Sequence, residues 1–274
     1  MNRSGAIGVF DSGYGGLTVL DSLVEQMPDY DFIYLGDNAR APYGNRSFEV
    51  VYEYTLEAVE KLFSMGANLV ILACNTASAK ALRSIQQNDL PRIDPSKRVL
   101  GVIRPSVEMV KDYTHTGHVG IVGTTGTIQS LSYPLEINKL YPYMVVRQEA
   151  CPMWVPLVEN GEFNSPGADF FVKKYLDQLF ANDQFIDTLI LGCTHYPLLI
   201  DKIKEYIPSG VTVLSQGDIV AKSLIDYLKR HPEMDEKCSK SSIVKFYTTE
   251  NTDKFSQAAE VFLKRPVEVQ HLSL

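Results

Sequence analysis

The sequence predicts an α/β fold: two similar doubly wound α/β lobes with mostly parallel sheets and the functional site in the cleft between them. Short apolar runs alternate with helix-patterned segments along the 274 residues, which is typical of parallel strands covered by helices. The length corresponds to about two domains at roughly 150 residues each. Part of the pattern also occurs twice, since IGVFDSG at 7–13 resembles VGIVGTTG at 119–126.

The elements of the first half follow in order. The apolar run Ala6–Phe10 predicts a strand, and GGLTVLDSLVEQMP after it predicts a helix with its leucines on one face. Phe32–Leu35 predicts a second strand. The next helix is expected to begin at Ser47 as its N-cap and to end near Gly66. NLVILAC is a continuous apolar run, which predicts a strand buried on both faces.

The alternation continues to the end of the chain and supports a weak internal repeat. Further strands are predicted at VLGVI, HVGIVG, YMVVRQ, DTLILGC, VTVLS and IVKFYTT. The positions that correspond in the two halves are Gly8 with Gly120, Asp37 with Glu149, and Cys74 with Cys193. The segment 88–98, NDLPRIDPSKR, has two prolines and five charged residues and is the expected seam between the lobes.

Composition excludes several classes of protein. The 26 basic and 33 acidic side chains give a net charge of −7, which argues against nucleic acid or an anionic membrane as the main partner. Four cysteines are too few and too scattered for a secreted disulfide scaffold. No apolar window reaches the roughly 18 residues of a membrane helix, and the N-terminus lacks a signal-peptide pattern. We therefore expect a cytoplasmic protein.

Two of the cysteines end corresponding strands. Cys74 and Cys193 each precede a predicted helix, and a helix N-terminus lowers the pKa of a thiol by stabilising the thiolate. Ligands bind beyond the carboxyl ends of strands in such sheets. Cys151 and Cys238 lack this setting and are interpreted as structural.

Several chemistries use thiols. A redox pair usually has C-x-x-C, which is absent, although distant cysteines can pair. Zinc needs four nearby ligands, and the five histidines form no Cys/His cluster in the sequence. A thiol hydrolase leaves the second cysteine unexplained. Two opposed thiols fit the removal of a proton from a carbon and its return on the opposite face.

Other loops add polar groups at the carboxyl ends of the predicted strands. In FDSGYGG, the glycines fit a tight turn and fail the dinucleotide-binding pattern, but Asp11 and Ser12 stand at the strand end. GTTGTIQS has hydroxyls and glycines at a helix start, which suits an anion held by backbone N–H groups and threonines. No P-loop, GxSxG or HExxH motif occurs.

Together, FDSGYGGLTVL, YLGDNARAPYG, LACNTASA, GTTGTI and LGCTHYPLL resemble the glutamate racemases of the aspartate/glutamate racemase superfamily. The motifs occur in order across nearly the whole chain. The resemblance implies a two-base racemase that interconverts L- and D-glutamate without a cofactor and supplies D-glutamate for peptidoglycan. It also implies a small-molecule substrate as the partner and leaves a homodimer open.

The resemblance assigns roles to individual residues. The thiol bases fall on Cys74 (for the D-enantiomer) and Cys193 (for the L-enantiomer), and the cleft acid falls on Glu149. Asp11, with Glu149 or His195, is expected to tune the thiols or move protons. The implied substrate contacts are Asp11, Ser12, Tyr43, Gly44, Asn75, Thr76, Thr124, Thr127, Thr194 and His195.

The resemblance also implies discontinuous lobes. We expect residues 1–97 with 215–274 to form the first lobe and 98–214 the second, with a hinge near 88–98 and 210–216. Two alternatives stay open at this stage. One is a racemase of another acidic amino acid such as aspartate, and the other is a non-catalytic two-lobed protein that binds an amino acid.

Overall fold

The computed structural model describes residues 4–274 and contains two β-sheets. Within these residues the strands are β1 Ile7–Asp11, β2 Phe32–Gly36, β3 Leu69–Leu72, β4 Arg98–Gly101, β5 His118–Gly123, β6 Val145–Ala150, β7 Thr188–Gly192, β8 Thr212–Leu214, β9 Val244–Thr248 and β10 Val269–His271.

Helices connect the strands and cover both sheets. In chain order they are α1 Leu17–Gln26, α2 Phe48–Ser64, α3 Asn75–Lys80, α4 Leu82–Ser84, α5 Leu90–Ile93, α6 Ile103–Met109, α7 Thr125–Gln129, α8 Ser132–Leu140, α9 Trp154–Glu159, α10 Pro166–Asn182, α11 Ile200–Tyr206, α12 Gln216–Arg230, α13 Pro232–Asp235 and α14 Thr252–Leu263. Short 3-10 segments are Asn38–Arg40, Val110–Asp112 and Tyr196–Leu199, and Ile85–Asp89 is a π-helical segment.

The two sheets share one topology. The larger sheet has the order β10-β9-β2-β1-β3-β4, and the smaller has the order β6-β5-β7-β8. Every strand pair in both sheets is parallel. The order β2-β1-β3-β4 therefore recurs as β6-β5-β7-β8, with Gly8 on β1 and Gly120 on β5. The fold class predicted from the sequence is confirmed. So is the correspondence of Cys74 with Cys193, because Gly8 pairs with Val70 and Gly120 with Leu189, four residues before each cysteine. The correspondence of Asp37 with Glu149 is wrong, because Gly8 pairs with Ile33 and Gly120 with Arg147, so that Cys151 takes the place of Asp37 in the second sheet.

Local sequence signals explain where the second helix begins and ends. Ser47 caps α2, because its hydroxyl accepts a hydrogen bond from the Val50 backbone N–H at 3.3 Å. The helix ends at Ser64, and Gly66 follows with φ of +100°, a left-handed conformation that favours glycine. Both predicted boundaries of this helix are confirmed.

The central strands of each sheet are buried on both faces, as the continuous apolar runs predict. In the larger sheet, Val9 packs in a core with residues of α1, α12 and α14, whereas Phe10, the next residue of β1, packs in a core with residues of α2. In the smaller sheet, Leu189 packs with residues of α10, and Ile190 packs with residues of α6 and α8. Successive side chains of a strand thus point to opposite faces of the sheet. The carboxyl ends of the parallel strands lie at one edge, where the residues that follow them are available for a site.

The predicted seam between the lobes is wrong in position. Residues 88–98 contain α5 and lead into β4, which pairs with β3 in the larger sheet. The chain instead crosses from the lobe of the larger sheet to that of the smaller sheet between Gly101 and Ile103, where β4 ends and α6 begins. It returns to the first lobe between β8 and α12. The predicted boundary between residues 97 and 98 therefore cuts β4 from its own sheet. We propose lobes of 4–101 with 215–274, and of 102–214.

One strand lay outside the sequence prediction. Strand β10 extends the larger sheet beyond β9 and has only three residues. It includes the exposed polar residues Gln270 and His271, so it lacks the apolar run that marks the other strands. Short polar edge strands protect a sheet against pairing with other chains.

Among residues 4–274, the helices that cover the sheets include none with the length and apolar character needed to cross a membrane.

Candidate active site

A cavity of about 130 Å³ lies where the carboxyl ends of the two sheets face each other. Its walls include a residue that follows β1, β3, β5 and β7 in turn, namely Ser12, Cys74, Thr124 and Cys193. This is the position at which parallel sheets bind ligands. The other lining residues are Ala41, Pro42, Tyr43, Gly44, Asn45, Asn75, Thr76, Thr125, Cys151, Pro152, Val155, Pro156, Glu159, Thr194 and His195.

Cys74 is held in place at the start of α3. Its sulfur accepts a hydrogen bond from the Ala77 backbone N–H at 3.4 Å, so the thiol caps the helix, and Ser12 Oγ lies 3.3 Å from the same sulfur. Burial and, after it, the charge of Asp11 raise the pKa of Cys74 to about 12, against the two hydrogen bonds. The side chain is therefore a protonated thiol near neutral pH, which suits a proton donor.

Cys193 has a different environment. Its sulfur lies 3.8 Å from Nδ1 of His195, whose Nε2 lies 3.0 Å from Glu159 Oε1. Burial opposes a charge on the ring, but the interactions with Cys193 and Glu159 outweigh it and raise the pKa of His195 to about 10. The imidazolium thus puts a positive charge beside the Cys193 sulfur. The cavity therefore combines a thiol from one lobe with an imidazolium-paired cysteine from the other.

Asp11 stands behind the cavity wall and is fully buried. Its carboxylate accepts hydrogen bonds from the Gly13 backbone N–H at 2.9 Å and from Thr194 Oγ1 at 3.4 Å. Burial raises the pKa of Asp11, although the charge of His195 and the backbone N–H groups partly offset that effect. Asp11 is absent from the cavity lining, so the structure brings it to the site as a neighbour of Cys74 and not as a direct wall contact.

A threonine cluster joins the lobes at the cavity. Thr124 Oγ1 lies 2.9 Å from Thr76 Oγ1, and Thr124 also caps α7 by accepting from the Thr127 backbone N–H at 3.2 Å. Thr127 is fully buried behind this pair and does not line the cavity. The Gly126 N–H donates to the Gly44 carbonyl at 2.7 Å. Hydroxyls from both lobes thus meet in one wall.

Tyr43 lines the cavity with its hydroxyl fixed from behind. The hydroxyl donates to the buried Asp37 carboxylate, which also accepts from Arg40 Nε at 2.7 Å and from Thr249 Oγ1 at 2.8 Å. Burial and the charge of Asp37 raise the pKa of Tyr43, so it remains a neutral phenol. Arg40 is thereby engaged behind the wall, and among residues 4–274 no lysine or arginine belongs to the lining.

The glutamate that lines the cavity is Glu159, whereas Glu149, the expected cleft acid, does not line it. Glu149 lies on β6, the edge strand of the smaller sheet, and is absent from the cavity lining. Glu159, the last residue of α9, lines the cavity and bonds to His195. The sequence repeat aligned Glu149 with Asp37, but the carboxylate that reaches the cavity belongs to the helix after β6. The segment ACPMWVPLVE carried no signal that distinguishes this glutamate.

The cavity brings most of the residues predicted for the site together, whereas Asp11, Thr127 and Glu149 do not line it. The cavity brings together the expected Cys74, Cys193 and His195, and the expected contacts Ser12, Tyr43, Gly44, Asn75, Thr76, Thr124 and Thr194 also line it. Cys151, interpreted as structural, forms part of the wall, and burial raises its pKa well above that of an ordinary thiol. Residues 4–274 contain no group of three or more His, Cys, Asp or Glu side chains arranged to hold a metal ion.

Comparison with known proteins connects this site to a family. Residues 7–224 match the family model described as Asp/Glu/Hydantoin racemase. The glutamate racemase of Bacillus cereus is 40% identical over 100% of this chain and 99% of its own length. The chain belongs to the glutamate racemase family. The enzyme of this name from Ruegeria is also 40% identical, over 96% of this chain and 98% of its own.

Solved glutamate racemases share the fold. An isoform from Bacillus anthracis superimposes with a TM-score of 0.90 at 36% identity, covering 100% of this chain and 99% of its own. The glutamate racemase from Francisella tularensis, whose structure contains D-glutamate, gives a TM-score of 0.85 at 33% identity over 100% and 97% of the two chains. The two-sheet architecture is therefore that of the glutamate racemase family.

Proposed function

We propose that this protein interconverts L- and D-glutamate by proton transfer at the α-carbon between two thiols. One observation carries the proposal: Cys74 and Cys193 end corresponding strands of the two sheets and line the same cavity from opposite lobes. Membership of the glutamate racemase family supports glutamate as the substrate.

The two thiols divide the reaction. For L-glutamate, the Cys193 thiolate takes the α-hydrogen as a proton, and the electron pair of the broken C–H bond stays on the substrate, delocalised into its carboxylate. The Cys74 thiol gives its proton to the opposite face, and that electron pair forms the new C–H bond. D-glutamate uses the thiols in the reverse order. Proton exchange with solvent restores the starting protonation.

His195 and Glu159 supply a positive charge beside Cys193, the cysteine that accepts the α-proton of L-glutamate. The imidazolium puts a positive charge beside the Cys193 sulfur, whereas Cys74 is held as a thiol by burial and by the charge of Asp11. One wall therefore offers a thiol as the acid, and the other offers a cysteine whose negative charge, once it has lost its proton, faces a positive one.

Neutral groups would hold the two carboxylates of the substrate. The wall provides the hydroxyls of Ser12, Thr76 and Thr124, the amide of Asn75 and backbone N–H groups, and the part of the chain that the structure describes adds no lysine or arginine side chain to it. Such groups bind a carboxylate in an enclosed site where water does not compete. Asp11 and Thr127 support this wall from behind, by hydrogen bonds to Thr194 and to Thr76 and Thr124.

Substrate entry requires the lobes to separate. The two cysteines are only 5% and 7% exposed, and contacts such as Gly126 N–H to Gly44 O close the cavity. We place the hinge at the two crossings, near residues 101–103 and 214–216. The second agrees with the hinge segment expected from the sequence, whereas the first lies beyond the expected 88–98.

The test uses purified protein in deuterated water with L-glutamate and no added cofactor. Racemase activity predicts loss of optical activity together with deuterium at the α-carbon. A parallel reaction with L-aspartate separates the glutamate proposal from a racemase of another acidic amino acid. Binding of glutamate without exchange or racemisation would favour a non-catalytic binding protein and contradict the proposal.

We also propose that the D-glutamate formed serves peptidoglycan synthesis in the cytoplasm. The proposal rests on the bacterial glutamate racemases to which the chain is similar. Depletion of the protein in its host should cause lysis that external D-glutamate prevents. Lysis that D-glutamate does not relieve would contradict this role.

A further inference from the structure

A closed ring of three side-chain hydrogen bonds lies beside the cavity. Asn75 Nδ2 donates to Gln216 Oε1, Gln216 Nε2 donates to the Tyr133 hydroxyl at 2.8 Å, and that hydroxyl donates to Asn75 Oδ1 at 2.8 Å. All three side chains are buried. A buried network with its polar groups satisfied fixes the orientation of its members.

Gln216 connects this ring to both crossings between the lobes. It is the first residue of α12, directly after the return crossing. Its Nε2 also lies 3.3 Å from the carbonyl oxygen of Val102, at the first crossing, and 2.8 Å from Ser106 Oγ on α6. The same amide thus contacts both crossings and Asn75.

Only Asn75 of the ring lines the cavity. The ring uses one of the two N–H groups of its amide and one lone pair of its oxygen, so one N–H remains for a ligand. Burial raises the pKa of Tyr133, which keeps the phenol protonated and able to donate to Asn75. Without Gln216, the Asn75 amide keeps only its bond with the Tyr133 hydroxyl, which has itself lost the Gln216 N–H that orients it. The amide is then less restrained and can turn its oxygen towards a substrate carboxylate.

We propose that Gln216 is a positioning residue for substrate binding, which holds the Asn75 amide with an N–H towards the substrate carboxylate and ties that orientation to the two lobe crossings. The inference rests on the proposed glutamate racemase function. Because Asn75 contacts the bound substrate in both ground state and transition state, loss of its orientation should weaken binding more than it slows proton transfer.

The test compares Gln216→Met, which keeps the length of the side chain and removes its hydrogen bonds, with wild type in both directions. We expect KM for each enantiomer to rise about tenfold, the effect of one hydrogen bond to a charged group, while kcat stays within about threefold. Gln86→Met is the matched control, since Gln86 Nε2 bonds to the Val99 carbonyl at 2.7 Å away from the active-site cavity. Its KM should equal that of wild type.

Tyr133→Phe removes the hydroxyl that bonds to Asn75 and Gln216, and it tests the inference even if Gln216→Met does not fold. It should raise KM similarly. The double variant should not exceed the larger single effect, because the three bonds orient Asn75 as one closed ring, which either substitution opens. A KM within twofold of wild type in both single variants, or a double variant whose effect is the product of the two, overturns the inference. Wild-type turnover of glutamate tests the proposed function separately, since it does not depend on Gln216 acting as described.

Discussion

Nε2 of His195 lies 3.0 Å from the Glu159 carboxylate, while Nδ1 of the same ring faces the sulfur of Cys193. A buried imidazole held between an acid and a thiol is most stable as the imidazolium, which explains why its pKa is raised to about 10 against the effect of burial. Cys74 has no such partner, and burial raises its pKa to about 12. The two thiols are therefore prepared for opposite tasks.

Glu159→Gln should remove the charge that holds the proton on His195. We expect kcat/KM to fall about tenfold to a hundredfold, and equally in both directions, because the two enantiomers have equal free energy. The raised pKa keeps His195 protonated below about pH 10, so the loss of Glu159 should move the alkaline decline of activity to lower pH. Circular dichroism of glutamate between pH 7 and 10.5 measures both effects.

The substrate ammonium titrates in the same alkaline range, so the shift between wild type and variant is the informative quantity. Glu162→Gln, an exposed glutamate three residues further along the chain, is the matched control and should leave the profile unchanged. An unshifted alkaline limb in Glu159→Gln, with turnover near that of wild type, would show that Glu159 does not set the charge of His195.

The strand-end cysteines could be predicted as site residues from the sequence, whereas Glu159 could not. Cys74 and Cys193 follow continuous apolar strands, so that the parallel arrangement alone brings them to one edge. Glu159 lies at the end of a six-residue helix, and its approach to His195 depends on how that helix packs. Such tertiary placement leaves no periodic signal in a single sequence.

The sequence prediction misplaced the first lobe crossing for a related reason. The proline-rich and charged segment 88–98 looks like a linker, but it forms α5 and a turn within the first lobe. The actual crossing at residues 101–103 is short and apolar, and its Val102 is fully buried. A buried crossing is stabilised by packing, so composition does not reveal it.

Cys74→Ser and Cys193→Ser should each abolish racemisation, because every turnover in either direction uses one group as base and the other as acid. A serine hydroxyl is a far weaker acid than a thiol, and we expect kcat to fall by roughly a thousandfold or more, within the range of general acid–base contributions. Cys238→Ser is the control, since Cys238 bonds to the Met234 carbonyl outside the cavity and a hydroxyl keeps that bond. Turnover near wild type in either active-site variant would contradict the two-thiol mechanism.

Gly15→Ala should disturb the site by contact alone. A Cβ at Gly15 would lie 2.3 Å from Thr194 Oγ1 and 2.5 Å from His195 Nδ1, across the interface between the lobes. His195 is fixed by Glu159, so the lobes or the ring must shift, and displacements of about 1 Å cost up to a hundredfold in rate. We expect kcat/KM to fall at least tenfold while the far-ultraviolet circular dichroism spectrum stays that of wild type.

Gly167→Ala is the matched control for that substitution, because its nearest neighbour, Ser165 Oγ, would be 3.4 Å from the added Cβ. Its activity should be normal. If Gly15→Ala retains more than half of the wild-type kcat/KM, the close contact of this loop with His195 has no catalytic consequence.

Asp11→Asn tests whether Asp11 acts through Cys74. After burial, the Asp11 charge is the strongest influence that raises the pKa of Cys74, and asparagine keeps an oxygen for the Gly13 N–H while removing that charge. The pKa of Cys74 should therefore fall below about 12, and its alkylation by iodoacetamide at pH 8 should accelerate. A tenfold larger thiolate fraction corresponds to about 1.4 kcal/mol of relieved repulsion.

Mass spectrometry in a Cys193→Ser background assigns the alkylated site. The control is Asp183→Asn, at a buried aspartate outside the cavity, which should leave the alkylation rate unchanged. Slower or unchanged alkylation in Asp11→Asn would mean that Asp11 serves to hold the loop and does not tune the thiol.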